Sequence, residues 1–386
     1  MRRFRIAVVG CGAFAQAQHI ANIAASDRMV LHTCCDISDD ALAVCRDRFE
    51  AQHTTGDFHE VANDPEVDVI CLATHQSLRL PVIAAAVKAG KPIYVEKPMA
   101  PTMDETRAIQ TIIRESGVPF CVGHNRRNSP AMIDAHRLFR RHVEDPKVCP
   151  WRWDRNPDDR PKQPAGDSPS MAVRINDDWW SWKGWAFDSN EEPFGPMLFE
   201  MTHFTDLCNW FLDSQPVEVV ALETGMLNHG VVIAYENGAI ATIHMGSTGT
   251  FGYPKELYEM TGNGGIVVVD HMLEMRTAGI EGAPPRTTYA MLNDRHPDVG
   301  IEGGLPGWLA KKRAACAEAT AEGDPMLQFT AEPDKGHAHA LDRFLDEIEG
   351  TGPMVCGVDD ALQATRVAFA AILAAQRKSA VPLDEV

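Results

Sequence analysis

The sequence predicts a two-domain α/β fold, in which a doubly wound parallel sheet is followed by an α+β domain with an open, largely antiparallel sheet. Three observations predict it. Short apolar runs alternate with helical patterns over the first 123 residues. The texture breaks after residue 124, and closely spaced strand patterns then recur between 217 and 270 with Asn-Gly pairs among them. Finally, 386 residues suit two domains of ordinary size.

In the first part, candidate strands cover 5–9, 29–35, 67–72, 92–95 and 119–122, and candidate helices cover 13–25, 39–49, 78–89 and 103–116. Strands separated by helices of this length form parallel sheets, because each crossover must return the chain to the same edge. Gly90 and Gly117 stand where helix C-termini favour glycine. The segment 151–192 is rich in Pro, Asp and Trp and has little periodicity. Helical patterning returns over 196–212, followed by strands at 217–222, 231–235, 239–244, 256–261 and 266–270. Asn237-Gly238 predicts a type I′ hairpin turn, with Asn263-Gly264 a second candidate. A loop-rich stretch, 276–307, precedes helices near 308–322, 335–349 and 358–378. The expected division is 1–123 and 124–386, with the C-terminal helix packing back on the first domain.

Composition excludes several functions. With 36 basic against 54 acidic residues and a net charge of −18, the chain lacks the basic footprint of a nucleic-acid binder. An anionic membrane surface is disfavoured for the same reason. No apolar run is long enough to span a bilayer. The opening Met-Arg-Arg-Phe-Arg resembles a twin-arginine signal, but only Ile6 to Val9 follow as an apolar run, too short for export. The ten cysteines show no Cys-x-x-Cys or zinc-like pairing, so they are expected to be reduced, structural and metal-free in a cytoplasmic protein.

Gly10-Cys11-Gly12-Ala13-Phe14-Ala15 fits G-x-G-x-x-A between a strand and a helix. Gly10 permits the tight turn, Gly12 lets backbone approach a pyrophosphate, and Ala15 lets the helix pack on the sheet. Asp36 ends the second strand, 24 residues after Gly12. An acid there binds a ribose 2′-hydroxyl and repels a 2′-phosphate, so the expected cofactor is NAD.

Further on, Glu96-Lys97-Pro98 follows a strand, and Gly123-His124-Asn125-Arg126-Arg127 begins 26 residues after Lys97. With the glycine loop, these motifs resemble the glucose–fructose oxidoreductase/inositol dehydrogenase (Gfo/Idh/MocA) family. The resemblance is dense over residues 4–127 and looser through 195–212, the Asn-Gly hairpin and the last helix. It implies that Lys97 is a catalytic acid/base or hydrogen-bond donor beside nicotinamide and substrate, that Glu96 orients it or the ribose, and that Pro98 is cis. Chemistry agrees, since hydride removal from a carbinol carbon requires its hydroxyl proton to be taken, and a partly desolvated lysine suits that task. Thr74-His75-Gln76 stands where the family has Thr-Pro-Asn. Thr74 and Gln76 are expected at the nicotinamide ribose, and Asn125 joins the cofactor residues Gly10, Gly12, Ala13, Phe14, Ala15, Asp36, Glu96 and Lys97.

The family's Asp-x-x-x-His helix corresponds to Phe199-Glu200-Met201-Thr202-His203. His203 is the expected second acid/base group. Phe199 occupies the acid's position and Glu200 lies one residue later, rotated by roughly 100° on a helix. A shared helical face still lets Glu200 orient His203, with Asp206 on the same stripe. A metal site from these three lacks a completing ligand and is not expected.

Six of the eight tryptophans lie between 151 and 185. They fit either a sugar-stacking surface, with Trp179, Trp180 and Trp185 as candidates, or a core or subunit interface. Six basic and nine acidic residues over 151–192 disfavour a phosphorylated ligand. Arg126, Arg174 and Lys183 are candidates for substrate hydroxyls or a carboxylate. The resemblance implies an NAD-dependent oxidoreductase for a sugar, glycoside, sugar acid or cyclitol, bound between the domains, in a homodimer or homotetramer built on the C-terminal sheet. Two alternatives stay open: an NAD-dependent glycoside hydrolase using transient oxidation, and a nucleotide-sensing protein without turnover.

Overall fold

A computed structural model describes residues 3–144, 168–179, 194–291, 304–322 and 332–386. The chain forms two compact units, one from residues 1–125 and 336–366, the other from 126–335 and 367–386.

The first unit contains β1 (Phe4–Val9), α1 (Ala13–Ala15), a π-helical turn (Gln16–Ile20), α2 (Ala21–Ala25), β2 (Met29–Cys35), α3 (Asp39–Phe49), β3 (His53–Thr55), α4 (Phe58–Asn63), β4 (Val69–Leu72), α5 (Arg79–Lys88), β5 (Ile93–Val95), α6 (Met103–Ser116) and β6 (Phe120–Val122). The six strands lie in the order β3-β2-β1-β4-β5-β6, all parallel. Val69 to Leu72 are all buried, as are Ile93 to Val95. That is the signature of strands covered by helices on both faces. Helix starts are fixed by side chains: Ser38 Oγ accepts from Ala41 N–H and Thr102 Oγ from Glu105 N–H. The five expected strands and four helices are present. The short β3 and α4 are additions, because three and six residues are too few to show a period.

The second unit begins with α7 (Pro130–Glu144) and β7 (Ser170–Asn176), then α8 (Pro196–Phe199) and α9 (Met201–Leu212). A run of strands follows: β8 (Pro216–Thr224), β9 (Asn228–Tyr235), β10 (Ile240–Gly246), β11 (Glu256–Gly262), β12 (Gly265–Asp270), β13 (Glu274–Ala278) and β14 (Arg286–Thr288). After α10 (Gly304–Glu322), α11 (His337–Ile348) lies in the first unit, and α12 (Val358–Arg377) runs across the division to β15 (Val381–Pro382). The nine-stranded sheet has the order β14-β13-β12-β11-β7-β10-β9-β8-β15. All its pairs are antiparallel except β7 with β10.

Several expectations need correction. The proline- and Trp-rich segment holds β7, a central strand, whose buried Met171, Val173 and Ile175 alternate with less buried neighbours. The stretch expected to be loop contains β13 and β14. The helix expected over 196–212 is broken at Glu200. At Asn237-Gly238 only glycine has positive φ, +80°. Tyr235 N–H reaches Ala239 O and Asn237 Oδ1 accepts from Ala239 N–H, giving a three-residue loop in place of the type I′ turn. Asn263 (φ 50°) and Gly264 (φ 81°) form the two-residue turn with both residues positive.

One face of the nine-stranded sheet is covered by α7, α9 and the end of α12, through Phe139, Phe204, Phe211 and Ala371. The other carries cross-strand partners Val220, Val232 and Thr242, all exposed. Exposed Leu222 lies on the same face, at a depression of about 540 Å³.

In the first unit, α11 brings Leu341, Phe344 and Leu345 into the core with Ile6, Ile20 and Leu31. Phe344 is fully buried. Phe344→Ala is expected to lower the unfolding free energy by about 3–5 kcal/mol, measured by denaturant titration; a loss below about 1 kcal/mol contradicts this packing.

Candidate functional site

In the first unit, the site is built where β1 and β4 lie side by side and the chain reverses its direction across the sheet. In such sheets ligands bind at the carboxyl ends of the strands beside that reversal. Gly10 ends β1 with φ 92°, and a Cβ there would lie 2.6 Å from Thr74 N, so only glycine fits. A Cβ on Gly12 would meet nothing within 4 Å. Open space above Gly12, with the unpaired N–H groups of a helix start at Ala13, Phe14 and Ala15, makes a cradle suited to a phosphate. Ala15 is buried against the sheet, while Phe14 is about half exposed. Asp36 is held by two backbone donors, Cys11 N–H to Oδ2 (2.7 Å) and Ser38 N–H to Oδ1 (2.9 Å). Its carboxylate is thereby tied to the glycine loop.

At the end of β5, Glu96 is buried and Lys97 half-buried, and the Lys97–Pro98 bond is cis. Glu96 Oε1 meets His19 Nε2 at 2.9 Å. His19 projects from the π-helical turn, a local widening common at functional sites. Burial disfavours the imidazolium, but the Cys71 sulfur and Glu96 overcome it and raise His19 to about 10. Burial likewise disfavours the carboxylate, but His19 first and Lys97 next hold Glu96 down at about 2. Gly123 makes room for this pair, since a Cβ there would lie 2.9 Å from Glu96 Oε1.

Arg79 is a second fixed point. Its guanidinium donates to the carbonyls of Thr74 (3.0 and 3.2 Å), Glu96 and Pro98. It thereby binds the β4 end to the Glu96-Lys97-Pro98 segment. Thr74 is half-buried and Gln76 buried on this edge; His75 is exposed, with Nδ1 2.9 Å from Ser77 Oγ. Asn125 is buried at the start of a 3₁₀ turn.

In the second unit, buried His203 sits on α9 beside Phe204. Glu200, at the break between α8 and α9, accepts from Lys255 Nζ at 2.7 Å and lies 3.5 Å from Arg126 Nη2. Lys255 also meets Asp177 at 3.1 Å. Arg126 grips Glu256 through two hydrogen bonds, 2.9 and 2.7 Å, and Tyr258 Oη donates to the same carboxylate at 2.5 Å. Burial opposes these charges, but Arg126 overcomes it and holds Glu256 at about 2, while Asp177 and Glu200 raise Lys255. Asp206 is engaged by Arg127 in a second two-pronged pair, 2.8 and 2.7 Å.

Arg174 donates to Pro254 O and lies over the Tyr253 ring. Trp179 is half-buried, with its N–H bonded to Ser247 O. Trp180, Lys183 and Trp185 lie outside the described residues. Sequence reasoning missed His19, Arg79, Lys255 and Glu256. His19 is a polar residue in an Ala/Gln-rich helix directly after the glycine loop, which was a usable signal; the others have none.

Comparison with known proteins agrees with this edge. The profile of the GFO_IDH_MocA family, described as "Oxidoreductase family, NAD-binding Rossmann fold", matches residues 4–124. An uncharacterized oxidoreductase, YrbE, of Bacillus subtilis is 23% identical over 276 residues, covering 68% of this chain and 73% of that protein. A 1,5-anhydro-D-fructose reductase of Ensifer adhaerens is 25% identical over 228 residues, 57% of this chain and 62% of the relative. A levoglucosan dehydrogenase solved in complex with NADH and L-sorbose superposes with TM-score 0.73 at 18% identity, covering 99% of each chain. No helix among the described residues is long and apolar enough to cross a membrane.

The His19–Glu96 pair has a defined pH signature. Glu96 is held below its ordinary 4.5, so its stabilisation is present above pH 4.5 and lost as pH falls toward 2. His19 is held above its ordinary 6.5, so its share is full below pH 6.5 and lost as pH rises toward 10. The stability gap between wild type and a His19→Leu/Glu96→Gln double variant is therefore expected to be widest between pH 4.5 and 6.5. A gap independent of pH contradicts the pairing.

Proposed function

Because the chain belongs to the Gfo/Idh/MocA family of oxidoreductases, we propose that it moves hydride between NAD and a hydroxyl-bearing carbon of a sugar, glycoside, sugar acid or cyclitol. The observation that carries this reading is Lys97, half-buried at the carboxyl end of β5 and flanked by the anchored Glu96. The relatives described above as a sugar reductase and a sugar dehydrogenase support the substrate class.

Bound nicotinamide would supply the hydride acceptor. Gly10, Gly12 and Ala13 to Ala15 would hold the pyrophosphate, and Asp36 the adenosine ribose. Thr74, Gln76, Glu96 and Asn125 would line the nicotinamide ribose. Lys97 would take the substrate's hydroxyl proton as the hydride leaves, and His203 is the second group proposed for proton handling. Glu200 is assigned a positioning part, because its carboxylate is engaged by Lys255. Arg126 is assigned likewise, being gripped by Glu256. Trp179 remains the described aromatic candidate for a sugar face, and Trp180 and Trp185 share that proposal from sequence.

The test is incubation with NAD and a panel of sugars, sugar acids, cyclitols and glycosides, following both NADH and carbohydrate products. Net NADH formation is expected. Glycoside cleavage without net NADH would favour the hydrolase reading, and no turnover at all would favour a nucleotide sensor. Lys97→Ala should lower turnover about a hundred- to ten-thousand-fold while NAD affinity is retained. Unchanged turnover would remove Lys97 from the chemistry.

A homodimer or homotetramer through the open sheet face is also proposed, since exposed Val220, Val232 and Leu222 form an apolar surface there. Leu222→Glu with Val232→Glu is expected to reduce the mass seen by sedimentation to that of one chain; an unchanged mass would place the interface elsewhere.

A further inference from the structure

Three cysteines far apart in sequence converge beneath the glycine loop. Cys11 follows β1, Cys34 lies on β2 and Cys45 on α3. All three are fully buried, and their sulfur atoms lie within 4.8 Å of one another. The alternation of β2 selects Cys34 for this side: it joins the same apolar core as Cys11 and Cys45, while adjacent Cys35 joins the core on the opposite face. Cys11 Sγ lies 3.7 Å from Val8 O and 3.6 Å from Cys35 O, and the three thiols hydrogen-bond to one another, while mutual contact and burial push the Cys11 thiol up.

We propose that Cys11, Cys34 and Cys45 form a trigonal thiolate site for a soft d¹⁰ cation of the Cu⁺ class. Metal–sulfur bonds of about 2.3 Å in a trigonal plane set sulfur–sulfur separations of about 4.0 Å. Closing the cluster therefore requires side-chain shifts below about 1 Å, within the reach of χ1 adjustments. Thiolates select soft ions over Mg²⁺ and Ca²⁺, which take oxygen ligands. Each cysteine gives up its thiol proton on ligation, so a divalent probe forms a trithiolate complex of net charge −1 and releases three protons. Affinity accordingly rises with pH. The site stands independently of the proposed hydride transfer.

The probe is Cd²⁺, titrated into the full-length, reduced chain while thiolate-to-metal charge-transfer absorption and proton release are followed. One tightly bound equivalent is expected, with a sulfur-only first shell of three atoms by X-ray absorption. Cys34→Ser and Cys45→Ala should each lower affinity at least about tenfold and the band by about one third, while Cys71→Ser, a buried cysteine on β4, should leave both unchanged. No tight equivalent, a first shell of oxygen and nitrogen, or a band indifferent to both cluster variants overturns the proposal. Should either variant fail to give the wild-type unfolding transition, the wild-type absorption spectrum decides alone.

Discussion

The carboxyl edge of the parallel sheet depends on one buried ion pair, His19 with Glu96. His19 rides on the helix that opens the glycine loop, and Glu96 ends β5 immediately before Lys97. Two fully desolvated groups 2.9 Å apart hold each other in the charged state against burial. Breaking such a pair from one side leaves a buried charge without its partner, at a cost of about 3–5 kcal/mol. The loop suited to phosphate and the lysine proposed for catalysis are thereby fixed by the same contact. Arg79 extends this lock by binding the carbonyls of Thr74, Glu96 and Pro98.

The second unit solves a related problem with more charges. Arg126, Lys255, Glu200, Glu256 and Asp177 are all buried, and each has an oppositely charged neighbour. Five ionised groups in one interior demand accurate geometry, because each unmet charge is expensive. Glu200, displaced by one residue from the expected acid position, sits where the helix breaks and faces Lys255.

Much of the first unit was legible because parallel strands buried on both faces write continuous apolar runs, and helix crossovers write a second period between them. The glycine loop and Asp36 stand out for a related reason, each at a fixed offset from a strand end, whereas the proposed role of Lys97 comes from the family resemblance of its motif. What escaped has a common cause. Arg79, His19 and Lys255 act through partners 17, 77 and 55 residues away; only His19, directly after the glycine loop, carries a local signal, and nothing in the sequence names its partner. β7 escaped because its alternation is brief and its flanks are rich in breakers. Asn237-Gly238 was read as a type I′ turn, but Glu236 joins the loop and shifts the positive φ to glycine alone. The three-cysteine cluster is invisible to spacing rules, since each member comes from a different element. Periodicity predicts a helix near 335–349, observed as His337–Ile348, but not which of two sheets it covers.

The carboxyl edge of the parallel sheet is proposed to hold NAD, with Asp36 on the adenosine ribose. Equilibrium titration of the full-length protein with NAD and with NADP tests it most directly. Because a 2′-phosphate would face the anchored Asp36 carboxylate, NAD is predicted to bind at least about tenfold more tightly. Equal affinities, or a preference for NADP, would contradict the account.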